Sequence, residues 1–170
     1  MHHWRPSTFE DRLLKKYFEA NPGTAYLELP VSIASGADRA RRIDALLIPN
    51  GEPQVYEQGT YTVEEAAAAI QGREVHIIEA KYALNRGVIG QVMVAKHLLE
   101  RAMNPASVVM IVVHAYDNPD LREFCEVQGI EVSQYAVEEP SASTVQPGIR
   151  PFDVRRDPDP ARRRAFLSGW

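Results

Sequence analysis

Two short segments bring acid and base together on stretches that read as strands. In Val75-His76-Ile77-Ile78-Glu79-Ala80-Lys81 an apolar run ends in a carboxylate and an amine two residues apart. Strand side chains alternate between faces, so Glu79 and Lys81 share one, about 6.6 Å apart along the strand. In Arg41-Arg42-Ile43-Asp44-Ala45-Leu46-Leu47-Ile48 a second apolar run carries one carboxylate, and pairing of the two strands would set Asp44 beside Glu79. Two carboxylates at that range suit a hard divalent cation such as Mg2+. Acids at strand ends also simply reach water, and Glu-x-Lys taken alone is a common tripeptide, so the surrounding elements must decide.

Those elements can be placed from caps and periodicity. Ser7-Thr8-Phe9-Glu10 has the pattern of a capping box and predicts a helix from Phe9 to Ala20, stopped by Asn21-Pro22-Gly23. Leu13, Leu14 and Tyr17 fall within about 50° of one direction on its wheel, and Glu10 lies inside that arc. Glu10 therefore either points along the packing face or folds back to close the cap with Ser7; Glu19 lies on the far side. Residues 25–33 alternate as a strand, with a turn at Ser35-Gly36-Ala37-Asp38 before the Asp44 strand. Residues 50–73 form an insertion: Thr62-Val63-Glu64-Glu65 is a second capping box, Ala66 to Ile70 favours helix, and Gly72 is a stop.

After Lys81, a helix is expected from Val88 to about Met103, with Val92, Ala95, Leu98, Leu99 and Ala102 on its apolar arc and Gln91 at the edge. A glutamine there is either satisfied within the structure or serves a site. His97, Glu100 and Arg101 lie opposite. Ser107 to Val113 is continuously apolar, the mark of a strand covered on both faces. Asn118-Pro119-Asp120 opens a short helix with Leu121, Phe124 and Cys125 inward, and Ile130 to Tyr135 is the last strand.

The 170 residues suffice for one domain, read as residues 1–137, followed by an arm, 138–170, rich in Pro, Ser and charge. With 45% hydrophobic and 25% charged residues the composition is that of an ordinary globular protein, and a single cysteine excludes an internal disulfide. A net charge of −4 argues against adhesion to nucleic acid through bulk electrostatics, so such binding has to be local. Basic residues cluster at Arg39-Ala40-Arg41-Arg42 and near the C-terminus, with acids interleaved. No run approaches the roughly 18 apolar residues of a membrane span, and the N-terminus lacks a signal-peptide stretch; no membrane and a cytoplasmic address are expected.

The order helix, three strands, helix, strand, helix, strand, with an acid in the first helix, an acid on the second strand, Glu-x-Lys on the third and Gln in the following helix, resembles the PD-(D/E)XK nuclease superfamily. The resemblance spans Phe9 to Tyr135. It implies an α/β, restriction-endonuclease-like core: a central mixed sheet of about five strands flanked by helices, in αβββαβαβ order, into which this chain adds a helical insertion between the second and third strands. It further implies that Asp44 and Glu79 bind Mg2+, with Mn2+ able to substitute, that the carbonyl of Ala80 is a further ligand, and that Lys81 assists the attacking water. Glu10 would match the accessory carboxylate of the first helix, and Gln91 the supporting glutamine. Asn85, Arg86 and Lys96 are candidate phosphate contacts or plain surface residues. The implied activity is hydrolysis of phosphodiester bonds in nucleic acid, with DNA the expected substrate.

The chain departs from the family pattern in places. Ile43 stands where many relatives have proline, and Ala95, four residues after Gln91, breaks the Gln-x-x-x-Tyr pattern of an exonuclease branch, which disfavours processing of DNA ends. Two other readings stay open. One is a nuclease fold without catalysis, a binding or scaffolding subunit meeting a partner or a second copy through the insertion or the arm. The other is an unrelated α/β protein with Asp44 and Glu79 far apart.

Overall fold

A computed structural model describes residues 4–31 and 41–137. The turn expected at Ser35 to Asp38, part of the Arg39 to Arg42 cluster and the 138–170 arm lie outside the described residues. The elements run α1 (Phe9–Ala20), β1 (Gly23–Pro30), β2 (Arg42–Pro49), β3 (Gln54–Tyr56), α2 (Val63–Ile70), β4 (Glu74–Ala83), α3 (Arg86–Met103), β5 (Ser107–Tyr116), α4 (Pro119–Val127) and β6 (Ile130–Gln134). Six strands form one mixed sheet in the order β3-β1-β2-β4-β5-β6, so the protein is α/β. The β1/β2 and β2/β4 pairs are antiparallel; β1/β3, β4/β5 and β5/β6 are parallel.

The sixth strand was not expected. It arises inside the insertion, where Gln54–Tyr56 joins β1 at the sheet edge. Three residues flanked by Pro53 and Gly59 are too short a run to show alternation, and only the waiting edge of β1 makes a strand of them. The ring of Tyr56 stacks on Tyr26 of β1 at 5.1 Å, and Tyr61 meets the same ring edge-on. The insertion is thus tied to the sheet by aromatic contacts as well as by α2, which caps as expected with Thr62 and Glu65.

Helix α1 starts where expected, but its cap is shifted by one residue. Thr8 is the N-cap, and Asp11 rather than Glu10 closes the box, accepting from the backbone N–H of Thr8 and of Ser7 at 2.9 Å each. Asp11 sits at the third helical position, and its short side chain reaches both N–H groups. Glu10 is released from capping.

Two cores lie on either side of the sheet. On one face Leu13, Leu14 and Tyr17 of α1 pack on Ala45, Leu47, Ile78, Ala80 and Ile111. On the other, Val92 and Leu99 of α3, Ile70 of α2 and Cys125 of α4 pack on Leu46, Ile77 and Val112. Each fully buried aliphatic side chain contributes about 1.5–3 kcal/mol. Tyr17 also reaches across the sheet, its hydroxyl 3.4 Å from Nδ1 of His76, which fixes α1 over β4. Two residues expected inside are exposed, Phe124 and Ala102. Helix α4 rests mainly on β6, so its buried strip is narrow and takes Cys125 but leaves Phe124 outside.

Candidate active site

The site begins with a break in the sheet. Along β1 and β2 the register pairs Leu27 with Ala45 and Leu29 with Ile43, yet the intervening Glu28 and Asp44 are not paired. Glu28 has a φ of 53°, the left-handed region that a residue with a Cβ avoids. The kink reverses the alternation of both strands: Leu27 and Ala45 belong to the α1-side core, Leu29 and Ile43 to the α3-side core. The hydroxyl of Tyr61, from the insertion, donates to the carbonyl of Leu27 at 2.7 Å. A backbone acceptor at the break is thereby satisfied. This gives the insertion a structural role at the site.

On its other side β2 pairs with β4 only through Ala45–Ile78, Leu46–Ile77 and Leu47–His76. Continuing that register would set Asp44 opposite Glu79. Instead of a ladder bond, the carboxylate of Asp44 accepts the backbone N–H of Ala80 at 2.9 Å. Lys81 brings its Nζ to 3.9 Å from the same oxygen. Glu79 is 3% exposed and lies within hydrogen-bond reach of Asp44. Burial, followed by the adjoining Asp44 charge, pushes the Glu79 carboxyl up to about 9, opposed in part by Lys81. Asp44 adjoins both Glu79 and Lys81, but the two do not share one cleft as their spacing suggested: Glu79 lines one beside Asp44 and Lys81 another. Asp44 and Glu79 are thus neighbours.

Asp44 opens into two clefts. One, of about 390 Å³, faces α1 and is lined by Glu10, Asp11, Glu28, Glu57 and Lys81 along with Asp44. The other, of about 420 Å³, faces α3 and is lined by Glu79 and Gln91 with Asp44 and Arg42. Glu10 and Gln91 therefore both open onto Asp44, but from opposite sides. Of the candidate phosphate contacts, Asn85 is committed to structure: its side chain caps α3 by accepting from Val88 N at 3.1 Å and donates to the carbonyl of Ala83 at 3.0 Å. Lys96 pairs with Glu100 at 3.9 Å, and Arg86 is exposed in the first turn of α3.

The chemistry of the donor set fits a hard dication. In the α1-side cleft five carboxylates face Lys81 and Arg5, an excess of negative charge that repels a phosphate unless a cation intervenes. Among the described residues no group of three His, Cys, Asp or Glu forms a ready-made cage. Mg2+ is commonly held by one or two carboxylates, keeping water and substrate oxygens for the remaining positions. The Asp44–Glu79 pair meets that requirement.

Three residues at or beside the site were not singled out from the sequence. Glu28 lies opposite Asp44 across the break; burial and the Asp44 charge push its carboxyl up, and Arg42 stands 4.0 Å away. Its signal was a carboxylate in an otherwise apolar strand, Tyr26-Leu27-Glu28-Leu29, which reads equally as an outward residue. Tyr61 gave no signal. His114, the register partner of Lys81, is fully buried with neither ring nitrogen hydrogen-bonded, and Asp117 lies 3.7 Å from Nε2. Burial lowers its affinity for a proton, partly offset by Asp117. No family model, curated protein or solved structure matches the chain.

Proposed function

We propose that the protein is a metal-dependent nuclease of the PD-(D/E)XK kind, cutting phosphodiester bonds in nucleic acid, with DNA the expected substrate. The observation that carries this reading is the buried Glu79 carboxyl set against Asp44 at the end of the β2/β4 ladder, with Lys81 on its rim. A carboxyl held out of water beside a second carboxylate costs stability, and one displaced this way from its usual range is a mark of sites selected for chemistry. Asp44 and Glu79 would hold Mg2+ or Mn2+, with the Ala80 carbonyl as a further ligand. When bound, the cation polarises a phosphoryl oxygen and lowers the pKa of its water.

The chain's own groups account for the rest. The Ala80 N–H fixes the rotamer of Asp44, so the carboxylate is held before substrate arrives. Lys81, at the mouth, offers a fixed ammonium to charge that builds on the phosphate and steadies the attacking water. Glu10, freed from capping, adds an acceptor on the α1 side, and Gln91 supports from the α3 side. Six strands, parallel crossovers through α3 and α4, and acids at the carboxyl end of β4 are consistent with a restriction-endonuclease-like core.

The test is cleavage of a panel of linear, nicked, branched and single-stranded substrates with Mg2+ or Mn2+. Asp44→Ala, Glu79→Ala and Lys81→Ala, each shown to be folded by circular dichroism, are expected to lose at least about 10²-fold in rate. Three variants that cut as well as the parent would remove the site assignment. An inert parent that binds nucleic acid or a protein partner would point instead to a scaffolding subunit.

A further inference from the structure

Beside the candidate site three aromatic rings form a stair. Phe9 begins α1, Tyr82 follows Lys81 in β4, and Tyr116 ends β5. Phe9 and Tyr82 have ring centres 5.2 Å apart at 50°, and Tyr82 and Tyr116 are 4.5 Å apart at 30°. Tyr82 meets Phe9, whose chain neighbours Thr8 and Glu10 line the α1-side cleft together with Lys81. Tyr116, at the end of β5, brings its ring against that of Tyr82. Both tyrosines stay open, at 44% and 49% exposed, and neither belongs to either core. Their rings support each other, so little side-chain freedom remains to be lost on binding.

Position ties this stair to the chemistry. The Cα of Tyr82 is about 3.8 Å from that of Lys81, and about 10 Å along the strand from Glu79, the scale of a nucleotide. At the far end the Arg12 guanidinium lies 6.0 Å from the Phe9 ring centre. Two part-exposed phenols, the first of them next to Lys81 in the chain, suit a flat ring with polar edges. A nucleic-acid base offers such a face only when it is unpaired.

We infer that Tyr82 and Tyr116 form a stacking platform that admits single-stranded or locally unpaired nucleic acid, setting the adjoining phosphate at Asp44, Glu79 and Lys81. The inference rests on the nuclease reading for what happens to that phosphate, whereas stacking is measurable without cleavage. In fluorescence anisotropy, the full chain in EDTA is titrated with labelled oligo-dT, oligo-rU and duplex DNA of about 12 nucleotides, at low salt. Single strands are expected to bind at least about ten-fold more tightly than duplex, and Tyr82→Ala and Tyr116→Ala each to weaken them by about five-fold or more, from the loss of one stacked base. Tyr82→Phe, which keeps the ring, should bind as the parent does. The oligo-dT and oligo-rU arms separate DNA from RNA. Alanine variants that bind single strands as the parent does, a parent that prefers duplex, or a parent that binds neither would overturn the platform. Ring-dependent binding by a parent that cleaves nothing would leave the platform standing and remove the nuclease reading. Unchanged binding by the alanine variants of an active parent would do the reverse.

Discussion

Replacing Glu79 by Gln should stabilise the metal-free protein and abolish its response to Mg2+. In the folded protein burial and Asp44 hold the Glu79 carboxyl protonated well above its ordinary value of 4.5. Between that value and the raised one, the folded state binds one more proton than the unfolded state, so stability falls as pH rises across the interval. From 4.5 to pH 7 the loss, at about 1.4 kcal/mol per pH step, is on the order of 3 kcal/mol. It continues to grow until the folded-state value, about 9, is passed. Glutamine resembles the protonated acid and does not titrate. Glu79→Gln should therefore match the parent near pH 5 and exceed it at pH 7 by on the order of 3 kcal/mol, roughly 10 °C in melting temperature for a chain of this size.

Mg2+ should act unequally on the two proteins. Binding at Asp44 and Glu79 displaces the Glu79 proton, so the parent gains stability from Mg2+, with apparent affinity rising with pH. The variant, left with Asp44, should gain little. Thermal melts of both proteins at pH 5, 7 and 8, with EDTA or saturating Mg2+, check this directly. A variant less stable than the parent at every pH, or stabilised by Mg2+ as much as the parent, would refute the placement of a strained acid pair at this point.

Other outcomes follow from neighbouring residues. Glu28→Asn, which tolerates the left-handed backbone and removes a charge beside Asp44, should raise metal-free stability, read by urea titration. His114 is buried with a lowered proton affinity, so its contribution is complete above about pH 6.5 and lost as pH falls below it; His114→Leu should flatten the acid limb of the melting curve. Tyr61→Phe removes one hydrogen bond at the break, costing about 1 kcal/mol, and should lower the rate of any cleavage more than it lowers binding. Thr8→Ala should cost about 1 kcal/mol through loss of the α1 cap, whereas Ser7→Ala should cost less.

Long periodic elements were legible from residues alone. The faces of α1 and α3, the Thr62 cap and the apolar β5 follow from periods of 3.6 and 2, which survive whatever packs against them. The Asp44–Glu79 meeting was also legible, because two apolar runs with one acid each leave few alternatives once they pair. The break at Glu28 was not. Tyr26-Leu27-Glu28-Leu29 looks regular, and the Leu27 carbonyl at the break is met by a hydroxyl from Tyr61, 34 residues away. Nor was β3, whose three residues are strand only because the β1 edge accepts them. Capping at Thr8 rather than Ser7 was a choice between adjacent hydroxyls, settled by which acid lands at the third helical position. That one-residue step left Glu10 free to line the α1-side cleft.

The most direct measurement is the initial rate of phosphodiester cleavage as Mg2+ is titrated into the parent and into Glu79→Gln, on the same single-stranded and duplex substrates. The account predicts a saturable Mg2+-dependent rate in the parent and at least about a 10²-fold lower rate in the folded variant. Cleavage by both proteins at equal rates, or none by the parent with Mg2+ or Mn2+ on any substrate, would contradict it.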